Sequence, residues 1–309
     1  MPKAKLAVVL ACYNRRETTL KCLAALYAQK RETWDVSVTL LDDASSDGTA
    51  EAVKGRFTDV EVITGDGNRF WGGGMFDAIQ AATKRPFDYL LWLNDDVALE
   101  PDAIERLLAC SARVDTEQGS PLNVVCGAMR DDATGDLSYG GFERTNRWNP
   151  AKVRHIRPAE SEPKRCDTIN GNLVLIPGAV MVPVGNLDPV FRHTLGDIDF
   201  GYRVRRSGGL LWMAPGFLGH CATNPGTTPW TNPAISMSAR LSSLTSPRGL
   251  PLDAWSTFMW RWGKITGLIL MVGMYMKALT TAVLAKSANA GPPTLADAKA
   301  VDPAVREPL

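Results

Sequence analysis

The sequence lacks a surplus of charge of either sign. Its 309 residues include 34 Lys and Arg and 33 Asp and Glu, so the formal net charge is +1 with neutral histidines. Proteins that bind nucleic acid usually carry a clear excess of positive charge. We therefore expect no nucleic acid among the partners of this protein, and local groups of residues must recognise any ligand.

Paired cysteines are also missing. The six cysteines form no Cys-x-x-Cys pair and no group with the spacing of a zinc site. No signal-peptide pattern follows Met1. These features predict reduced thiols in a cytoplasmic protein, because disulfide bonds persist mainly in oxidising compartments. The 45% share of hydrophobic residues is typical of a globular protein.

Two common phosphate-binding loops are absent as well. The sequence contains no Gly-x-x-x-x-Gly-Lys-Ser/Thr motif. A glycine-rich stretch at 65–74 has Phe70 where the dinucleotide-binding fingerprint requires its third glycine, and it follows the third predicted strand rather than the first. This stretch disfavours an NAD-type site, although its glycines allow a ligand to approach the backbone closely.

Three apolar runs of strand length are present, and each leads through a polar or glycine-rich turn into a helical pattern. The runs cover 5–12, 36–41 and 60–64. This order predicts an α/β fold with ligands at the carboxyl ends of the strands. Asp42 lies too early in its turn to cap the next helix, so we expect it to accept a hydrogen bond from a base or ribose. Asn14 with Glu17 fits a capping box, which leaves a purely structural role open for the first loop.

A fourth apolar run, at 89–93, leads into Asn94, Asp95 and Asp96. A buried strand that ends in adjacent carboxylates brings negative charge to the ligand-binding edge of a sheet. Burying two acids is costly unless a cation or hydrogen-bond donors compensate them, and a divalent metal ion is the usual partner. The alternative is an acidic turn before the helix that Pro101 begins.

Two carboxylates and a histidine in the second half of the chain are further candidates. Helical spacing places Asp199 and Arg203 four residues apart, which predicts an ion pair within one helix. Asp197 at the start of that helix is left free for another role, although the helix dipole alone would favour an acid there. His220 is one of three histidines. Both a metal ligand and a packed, hydrogen-bonded residue fit its position after an apolar run.

The remaining sequence consists of loops and one long apolar stretch. Residues 131–163 are polar and rich in turn formers, which predicts a surface excursion near an acceptor. Residues 265–285 approach the length of a transmembrane span, but Lys277 and several glycines favour a helix lying on the domain or at a membrane surface. We expect a helical region that docks on a membrane and then a disordered, Ala/Pro-rich tail. The predicted domains are 1–225, 226–286 and 287–309.

Five of these segments together resemble motifs of the family 2 glycosyltransferases, which have the GT-A fold. Residues 11–15 resemble the family's first nucleotide-binding loop, and 42–49 resemble its Asp-Asp-Gly-Ser-x-Asp-Gly-Thr signature. Residues 67–75 resemble the Gly-Asn-x-x-x-x-Gly-Gly loop of the bacterial rhamnosyltransferase-like branch, and 196–203 resemble the Glu-Asp-x-Glu-Phe-Gly-Tyr-Arg element. Residues 94–96 occupy the Asp-x-Asp position, but the first carboxylate of that motif is replaced by an amide.

The resemblance covers residues 5 to 225. It implies a Rossmann-like mixed sheet flanked by helices, with a nucleotide-sugar transferase domain at 1–225 and a C-terminal helical extension. The implied catalytic base is Asp197, and the implied cofactor is Mg²⁺ or Mn²⁺ held by Asp96 and His220. The implied nucleotide-sugar-binding residues are Ala11, Tyr13, Asn14, Arg15, Asp42, Asn68, Trp71, Gly73 and Asp95.

The implied activity is that of an inverting hexosyltransferase in bacterial polysaccharide synthesis. A nucleotide sugar of the dTDP-rhamnose or UDP-hexose type would donate its sugar to a hydroxyl of a lipid-linked saccharide. The expected location is cytoplasmic and peripheral at the inner membrane face. Two alternatives stay open. One is a sugar-nucleotide-binding subunit with weak catalysis, which Asn94 suggests. The other is a nucleotidyltransferase of similar fold, although the first loop of such enzymes usually carries glycines and residues 12–16 contain none.

Overall fold

The structure is a computed structural model that describes residues 3–223, 229–232 and 234–284. The chain divides into two compact units. The larger unit contains Met1–Thr145 and Val153–Thr223, and the smaller unit contains Asn146–Lys152 and Asn224–Leu309. The segment 146–152 therefore groups with the C-terminal region, although sequence analysis assigned it to the first domain. The expected disordered tail at 287–309 lies outside the described residues.

Strands and helices alternate through the first half of the larger unit, and short strands dominate its second half. The first half contains β1 (Ala4–Cys12), α1 (Arg16–Tyr27), β2 (Trp34–Asp42), α2 (Thr49–Arg56), β3 (Glu61–Thr64), α3 (Phe70–Ala82), β4 (Tyr89–Leu93), β5 (Ala98–Leu99) and α4 (Ala103–Gln118). The second half contains β6 (Asn123–Arg130), β7 (Leu137–Tyr139), β8 (Gly141–Arg144), β9 (Val153–His155), β10 (Lys164–Cys166), β11 (Thr168–Ile169), β12 (Leu173–Pro177), α5 (Gly178–Val184), α6 (Gly196–Arg206) and β13 (Leu210–His220).

A ten-stranded mixed sheet forms the centre of the larger unit. Its main path runs β10-β13-β6-β12-β4-β1-β2-β3, with β5 on β13 and β7 on β6. Strands β1 to β4 pair in parallel, whereas β12 is antiparallel to both β4 and β6. A second sheet has the order β11-β8-β9. The prediction of a mixed sheet flanked by helices is therefore confirmed.

The apolar runs become central strands because both faces of the sheet are covered. In β1, Leu6, Val8 and Leu10 enter one hydrophobic cluster, while Ala7 and Val9 enter the cluster on the opposite face. Alternating residues of a strand point to opposite faces. A strand buried on both sides must therefore be apolar throughout, and polar residues appear only where it ends.

Helix α3 begins at Phe70, five residues earlier than the sequence pattern predicts. The glycines expected to form a loop are thus in its first turn. A Cβ atom at Gly72 would overlap the carbonyl oxygen of Phe191, and one at Gly74 would lie 2.9 Å from the Cβ of Ala11. These glycines allow the helix to pack closely against a neighbouring loop and strand.

The smaller unit is helical over its described residues. It contains a 3₁₀ turn at Pro229–Thr231, α7 (Met237–Thr245) and α8 (Leu252–Leu284). Helix α8 breaks at Lys264, where φ is 53° and ψ is −140°. A Cβ at Gly267 would overlap the carbonyl oxygen of Met259, so the two halves of α8 pack closely at this break. Within the described part of the chain, α8 alone has the length and apolar composition of a membrane span, a property that buried core helices share.

Gly72 and Gly73 provide a matched test of the packing of α3. We expect Gly72→Ala to lower the free energy of unfolding by about 1–3 kcal/mol, because the new methyl group meets backbone that cannot turn away. A Cβ at Gly73 meets Arg69 side-chain atoms at 3.7 Å, which is an ordinary contact. Gly73→Ala should therefore be neutral, or stabilising by up to about 1 kcal/mol through helix propensity. Equal denaturant midpoints for the two variants would contradict this account of the first turn.

Candidate active site

Hydrogen bonds join the loops that follow β1 and β2. The Asn14 amide N–H donates to Ser45 Oγ at 2.8 Å, and Asn14 Oδ1 accepts from the Ser46 amide at 2.8 Å. The capping box that the sequence left open as an alternative does not form, because Arg15 occupies the N-cap of α1 and makes no side-chain capping bond. Asn14 instead has a positive φ of 51° and bonds Ser45 and Ser46, which lie 31 and 32 positions further along the chain. The two loops therefore form one continuous rim at the carboxyl end of the sheet.

Asp42 lies at the end of β2 and is 2% exposed. Its Oδ1 accepts the Ser45 amide at 3.1 Å and the Ser45 hydroxyl. Burial raises the pKa of this carboxyl, while the bonds from Ser45 act in the opposite direction. In this structure Asp42 holds its own turn, whereas sequence analysis expected its carboxylate to be free for a base or ribose.

Asp43 holds the next loop in place, a role that no sequence pattern predicted. Its Oδ1 accepts the Gly67 amide at 2.8 Å, and its Oδ2 accepts the amides of Arg69 and Phe70 at 2.9 and 3.1 Å. Phe70 has a positive φ of 55°, a conformation that needs such support. The one feature of the sequence that could have pointed to this role is the position of Asp43 as the second acid of an Asp-Asp pair. Asp43 thereby fixes the start of α3 beside the strand ends.

Asp95 and Asp96 follow β4 and share one guanidinium. Arg15 Nη1 lies 3.1 Å from Asp95 Oδ1 and 3.1 Å from Asp96 Oδ2. Asp95 is 5% exposed, and its Oδ2 also lies 3.4 Å from the Thr19 hydroxyl. Burial and the Asp96 charge raise the pKa of Asp95, whereas Arg15 lowers it. The structure thus places Arg15, predicted to bind the nucleotide sugar, on the acidic pair.

One oxygen of Asp96 is buried and accepts no hydrogen bond. This atom is Oδ1, while Oδ2 contacts Arg15. A buried carboxylate oxygen without a donor is unfavourable unless a cation or ligand donor completes it. Within residues 3–223, 229–232 and 234–284, no group of three or more His, Cys, Asp or Glu side chains has the arrangement of a metal site. A metal ion on Asp96 would therefore need further oxygen ligands from a bound substrate or water.

Asn94 connects two parts of the site through its amide. Its Oδ1 accepts the indole N–H of Trp71 at 2.7 Å, and its Nδ2 donates to Asn172 Oδ1 at 2.9 Å. Its backbone N–H also donates to the Asn172 carbonyl at 2.9 Å. A carboxylate at this position would present oxygen to the oxygen of Asn172, so an amide suits both neighbours. The missing carboxylate of the Asp-x-Asp motif has this structural explanation.

Asp197 lies half-buried in the first turn of α6. Its Oδ2 accepts the Gly171 amide at 3.0 Å, and its Oδ1 accepts the Ile198 amide at 2.8 Å. Desolvation by burial raises the pKa of Asp197 to about 6, although these backbone bonds act in the opposite direction. A carboxylate with this pKa is ionised at neutral pH and can accept a proton. The predicted ion pair of Asp199 with Arg203 is confirmed at 2.8 Å, which leaves Asp197 outside it.

The turn 170–172 joins Asp197 to the acidic pair. Gly171 bonds Asp197, and the next residue, Asn172, bonds Asn94. Leu173 pairs with Leu93 in the antiparallel β12–β4 ladder, so the turn before β12 lies beside the residues that follow β4. A Cβ at Gly171 would overlap the indole of Trp71, which shows how closely this turn packs. Asp95, Asp96 and Asp197 thus belong to one edge of the sheet.

His220 is engaged by two acids at the end of β13. Its Nε2 lies 2.9 Å from Glu100 Oε1, and its Nδ1 lies 2.5 Å from Asp132 Oδ1. The hydrogen bond to Glu100 raises the pKa of the imidazole, while partial desolvation lowers it. A protonated imidazole has no lone pair for a metal. Metal binding by His220 therefore requires it to lose a proton and at least one of these bonds.

The other predicted donor-binding residues differ in exposure. Ala11 is buried at the end of β1, and Gly73 is buried in α3, where its amide donates to the Arg192 carbonyl at 3.1 Å. Tyr13 and Trp71 are half-buried, and Asn68 is exposed. Trp71 also packs edge-on against Trp92 at 6.3 Å between ring centroids. Tyr13, Trp71 and Asn68 are the members of this set that present side-chain surface to a ligand.

Three buried thiols surround the acids. Cys12 Sγ lies 3.9 Å from Asp42 Oδ1, Cys22 Sγ lies 3.2 Å from the Asn94 carbonyl, and Cys221 accepts a bond from Asn172. Burial is the main cause that raises the pKa of all three thiols, and nearby carboxylates raise it further. All six cysteines of the chain are unpaired. Thiols of this kind stay protonated and serve as packing.

The same fold occurs in several solved structures. GalNAc-T7 with UDP, GalNAc and Mn²⁺ superposes with a TM-score of 0.55 at 15% identity, covering 72% of this chain and 44% of that one. The mannosyltransferase PcManGT from Pyrobaculum calidifontis with GDP-Man and Mn²⁺ gives 0.51 at 15% identity, covering 96% and 78%. TarS of S. aureus gives 0.51 at 13% identity, covering 73% and 37%. These likenesses show that the larger part of this chain has the GT-A fold.

The sequence also matches a family model. The model described as Glycosyl transferase family 2 matches residues 7–154 of this chain. A relative from Mycobacterium tuberculosis, N-acetylglucosaminyl-diphospho-decaprenol L-rhamnosyltransferase, is 24% identical over 222 residues, which are 63% of this chain and 69% of the relative. The resemblance inferred from the motifs is therefore confirmed.

The amide of Asn94 can be tested by its removal. Asn94→Ala leaves the Trp71 indole N–H and the Asn172 oxygen without their partner, so we expect a loss of about 1–3 kcal/mol in the free energy of unfolding. Asn68→Ala, in the exposed part of the 67–70 loop, is the control and should change stability by less than about 0.5 kcal/mol. Urea denaturation measures both. Equal midpoints for the two variants would show that the amide holds nothing in place.

Proposed function

We propose that this glycosyltransferase is inverting and moves a sugar from a nucleotide-diphosphate sugar to a hydroxyl of a lipid-linked saccharide. The observation that carries the proposal is the 170–172 turn, which bonds Asp197 on one side and Asn94 on the other. In an inverting transfer, the general base and the site of the leaving diphosphate must face the same anomeric carbon of the donor sugar. The link through this turn supports that arrangement, because it keeps Asp197 and the Asp95-Asp96 pair at one sheet edge.

The donor is proposed to be of the dTDP-rhamnose or UDP-hexose type. Solved relatives of the fold contain UDP or GDP-Man, and the mycobacterial relative is named a rhamnosyltransferase. Tyr13 and Asn14, on the loop after β1, and Asn68, on the loop after β3, are proposed to contact the base, ribose and sugar. Asp42 holds the backbone of the loop after β2 and Asp43 that of the loop after β3, so we propose that they contribute to donor binding by positioning these loops.

Mg²⁺ or Mn²⁺ fits the acidic pair through the unsatisfied oxygen of Asp96. Bound there with Asp95 nearby, it would act as a Lewis acid on the developing charge of the departing diphosphate. Arg15 already supplies one positive charge between the two acids. We propose that Arg15 keeps Asp95 and Asp96 compatible with burial and offers its remaining N–H groups to the phosphates.

Asp197 is proposed as the general base. It would accept the proton of the acceptor hydroxyl as that oxygen attacks the anomeric carbon from the face opposite the diphosphate. The amides of Gly171 and Ile198 hold the carboxylate in one orientation, and its raised pKa strengthens it as a base at neutral pH. Direct attack of this kind inverts the anomeric centre, and no covalent sugar–enzyme intermediate is needed.

The acceptor is proposed to be lipid-linked, as the name of the mycobacterial relative states for that protein. The protein would then work in the cytoplasm at the inner membrane face. Exposed apolar residues of α8, among them Ile265, Ile269 and Met276, support peripheral attachment. A helix in this orientation lies along the interface, and the break at Lys264 marks where it begins.

Asp197→Asn tests the base. We expect transfer to fall by about 10²-fold or more while donor affinity stays within about twofold, because only proton transfer is removed. The variant should also be more stable at pH 8, by up to about 3 kcal/mol, since ionising a carboxyl of raised pKa costs folding energy. This gain should shrink as the pH falls from about 6, where wild-type Asp197 begins to take up its proton, and should be gone below about 4, the ordinary pKa of an aspartate. Near wild-type transfer by the purified variant would exclude this role.

The pH dependence of sugar transfer by the wild-type protein is a second test of Asp197. Transfer should decline as the pH falls through about 6, by about tenfold per unit below it, because the base becomes protonated. The residual activity of Asp197→Asn should lack this decline. A decline of the same shape in both proteins would assign the titration to another group.

A donor panel tests the function as a whole. UDP-, GDP- and dTDP-sugars are incubated with the protein, with and without EDTA, and released nucleoside diphosphate is measured. We expect one donor class to be hydrolysed and to raise the Tm. EDTA and Asp96→Ala should each reduce turnover by about tenfold or more. A rise in Tm without hydrolysis would favour the sugar-nucleotide-binding subunit, and release of pyrophosphate from a nucleoside triphosphate with a sugar phosphate would favour a nucleotidyltransferase.

A further inference from the structure

The smaller unit has a strong excess of positive charge. Residues 146–152 and 224–284 contain one acid, Asp253, and seven bases. The bases are Arg147, Lys152, Arg240, Arg248, Arg261, Lys264 and Lys277. The whole chain has a net charge of only +1, so this segment, at +6, leaves −5 for the rest. A local excess of this size favours an anionic ligand of the smaller unit.

An open groove of about 610 Å³ lies within the smaller unit. Five of its six lining residues can make polar or aromatic contacts, and the sixth, Leu270, is apolar. The lining residues are Asn146, Trp148, Asn149, Lys152, Thr266 and Leu270. Carboxamides bind hydroxyl groups, an exposed indole face binds the apolar face of a sugar ring, and an ammonium group binds phosphate. This combination matches a glycosyl diphosphate.

The 146–152 side of the groove is held in place by its own turns. Asn146 Oδ1 accepts the amides of Trp148 and Asn149 at 2.8 and 3.0 Å, and Asn149 Oδ1 accepts the Ala151 amide at 3.0 Å. Trp148 is nevertheless 55% exposed. The Arg147 guanidinium carbon stacks over its ring at 4.4 Å from the centroid. Trp148 therefore presents part of its ring to a ligand in the groove from a turn that is already ordered.

The other side of the groove leads onto an apolar helix face. Thr266 and Leu270 belong to the second half of α8, whose exposed side carries a continuous apolar stripe. The stripe consists of Ile265 at 68%, Ile269 at 67%, Val272 at 58%, Met276 at 58%, Leu279 at 40% and Val283 at 52% exposure. A chain of hydrocarbon can lie along such a stripe while a polar head occupies the groove.

We propose that this groove binds the glycosyl-diphosphate head of a prenyl-linked acceptor. Trp148 stacks on the sugar, Asn146 and Asn149 bind its hydroxyls, and Lys152, with Arg147 behind Trp148, binds the diphosphate. The prenyl chain leaves past Leu270 along the stripe. This assignment rests on the proposed function, since it identifies how the lipid-linked acceptor is held.

A second copy of the chain is the main competing occupant of the stripe, because its 4-3 spacing is that of a coiled coil. The flanking positions argue against it. Thr266, Gly273 and Thr280 are uncharged, and no Asp or Glu occurs between 254 and 284. Coiled coils use opposite charges beside the seam to choose their partners, and these flanking positions carry none. Charge complementarity therefore favours the anionic lipid.

The test measures binding of N-acetylglucosaminyl-diphospho-geraniol, a water-soluble short-chain glycosyl diphosphate, to the full chain by calorimetry. We expect Trp148→Ala to weaken binding by about tenfold and Lys152→Gln by about three- to tenfold, from the loss of stacking and of a partly solvated charge contact. The matched controls are Trp260→Ala, which is 52% exposed in the smaller unit but outside the groove, and Lys54→Gln on the surface of the larger unit. Both should bind within about twofold of wild type.

Three further arms separate the outcomes. Inorganic pyrophosphate should bind at least about tenfold more weakly than the probe, and equal binding would reduce the groove to a general anion site and overturn the proposal. Vesicles of phosphatidylglycerol should bind wild type and Trp148→Ala alike, because the head group is not a glycosyl diphosphate. Unchanged probe binding by both groove variants, or dimerisation in light scattering that Ile269→Lys abolishes, would also overturn it. Donor hydrolysis without acceptor should be unaffected by Trp148→Ala, so failure of the groove and failure of the proposed transferase give different results.

Discussion

The hydrogen bonds between Asn94 and Asn172 are the constraint on which the site depends. They join the end of β4 to the start of β12, its antiparallel neighbour in the middle of the sheet. On the other side of β4, strands β1, β2 and β3 follow in parallel. Without β12 inserted there, the 170–172 turn would not lie beside the acids that follow β4. The amide of Asn94 therefore does what a carboxylate could not, because it must accept from Trp71 and donate to Asn172 at once.

The same edge of the sheet carries more negative charge than burial normally permits. Asp42, Asp43 and Asp95 are each at most 5% exposed. The structure compensates them by two different means. Backbone amides and a serine bind Asp42 and Asp43, which makes those acids parts of the scaffold. Arg15 binds Asp95 and Asp96, and one oxygen of Asp96 remains unsatisfied. The acid with incomplete compensation is the one whose chemistry is available to a ligand.

Local patterns in the sequence were sufficient for the central strands and the Asp199–Arg203 pair, because each depends on residues a few positions apart, whereas the mixed sheet was expected only from the family resemblance. They were insufficient for Asn14, Asn94 and Asp43. The partners of Asn14 are 31 and 32 positions away, and Asn94 meets Asn172 78 positions away, so no periodicity reveals these contacts. The start of α3 was missed for a related reason. Glycines argue against a helix locally, and only the distant carbonyl of Phe191 explains their presence.

Charge illustrates the same limit at a larger scale. A net charge of +1 correctly describes the chain as a whole and says nothing about its parts. Once 146–152 groups with the C-terminal helices, residues 146–152 and 224–284 of the smaller unit have seven bases and one acid. The segment 146–152 contributes two of those bases, although its sequence neighbours belong to the larger unit. Folding, rather than composition, thus assembles a positive region beside an apolar helix face, and an amphiphilic anion is the kind of ligand that satisfies both.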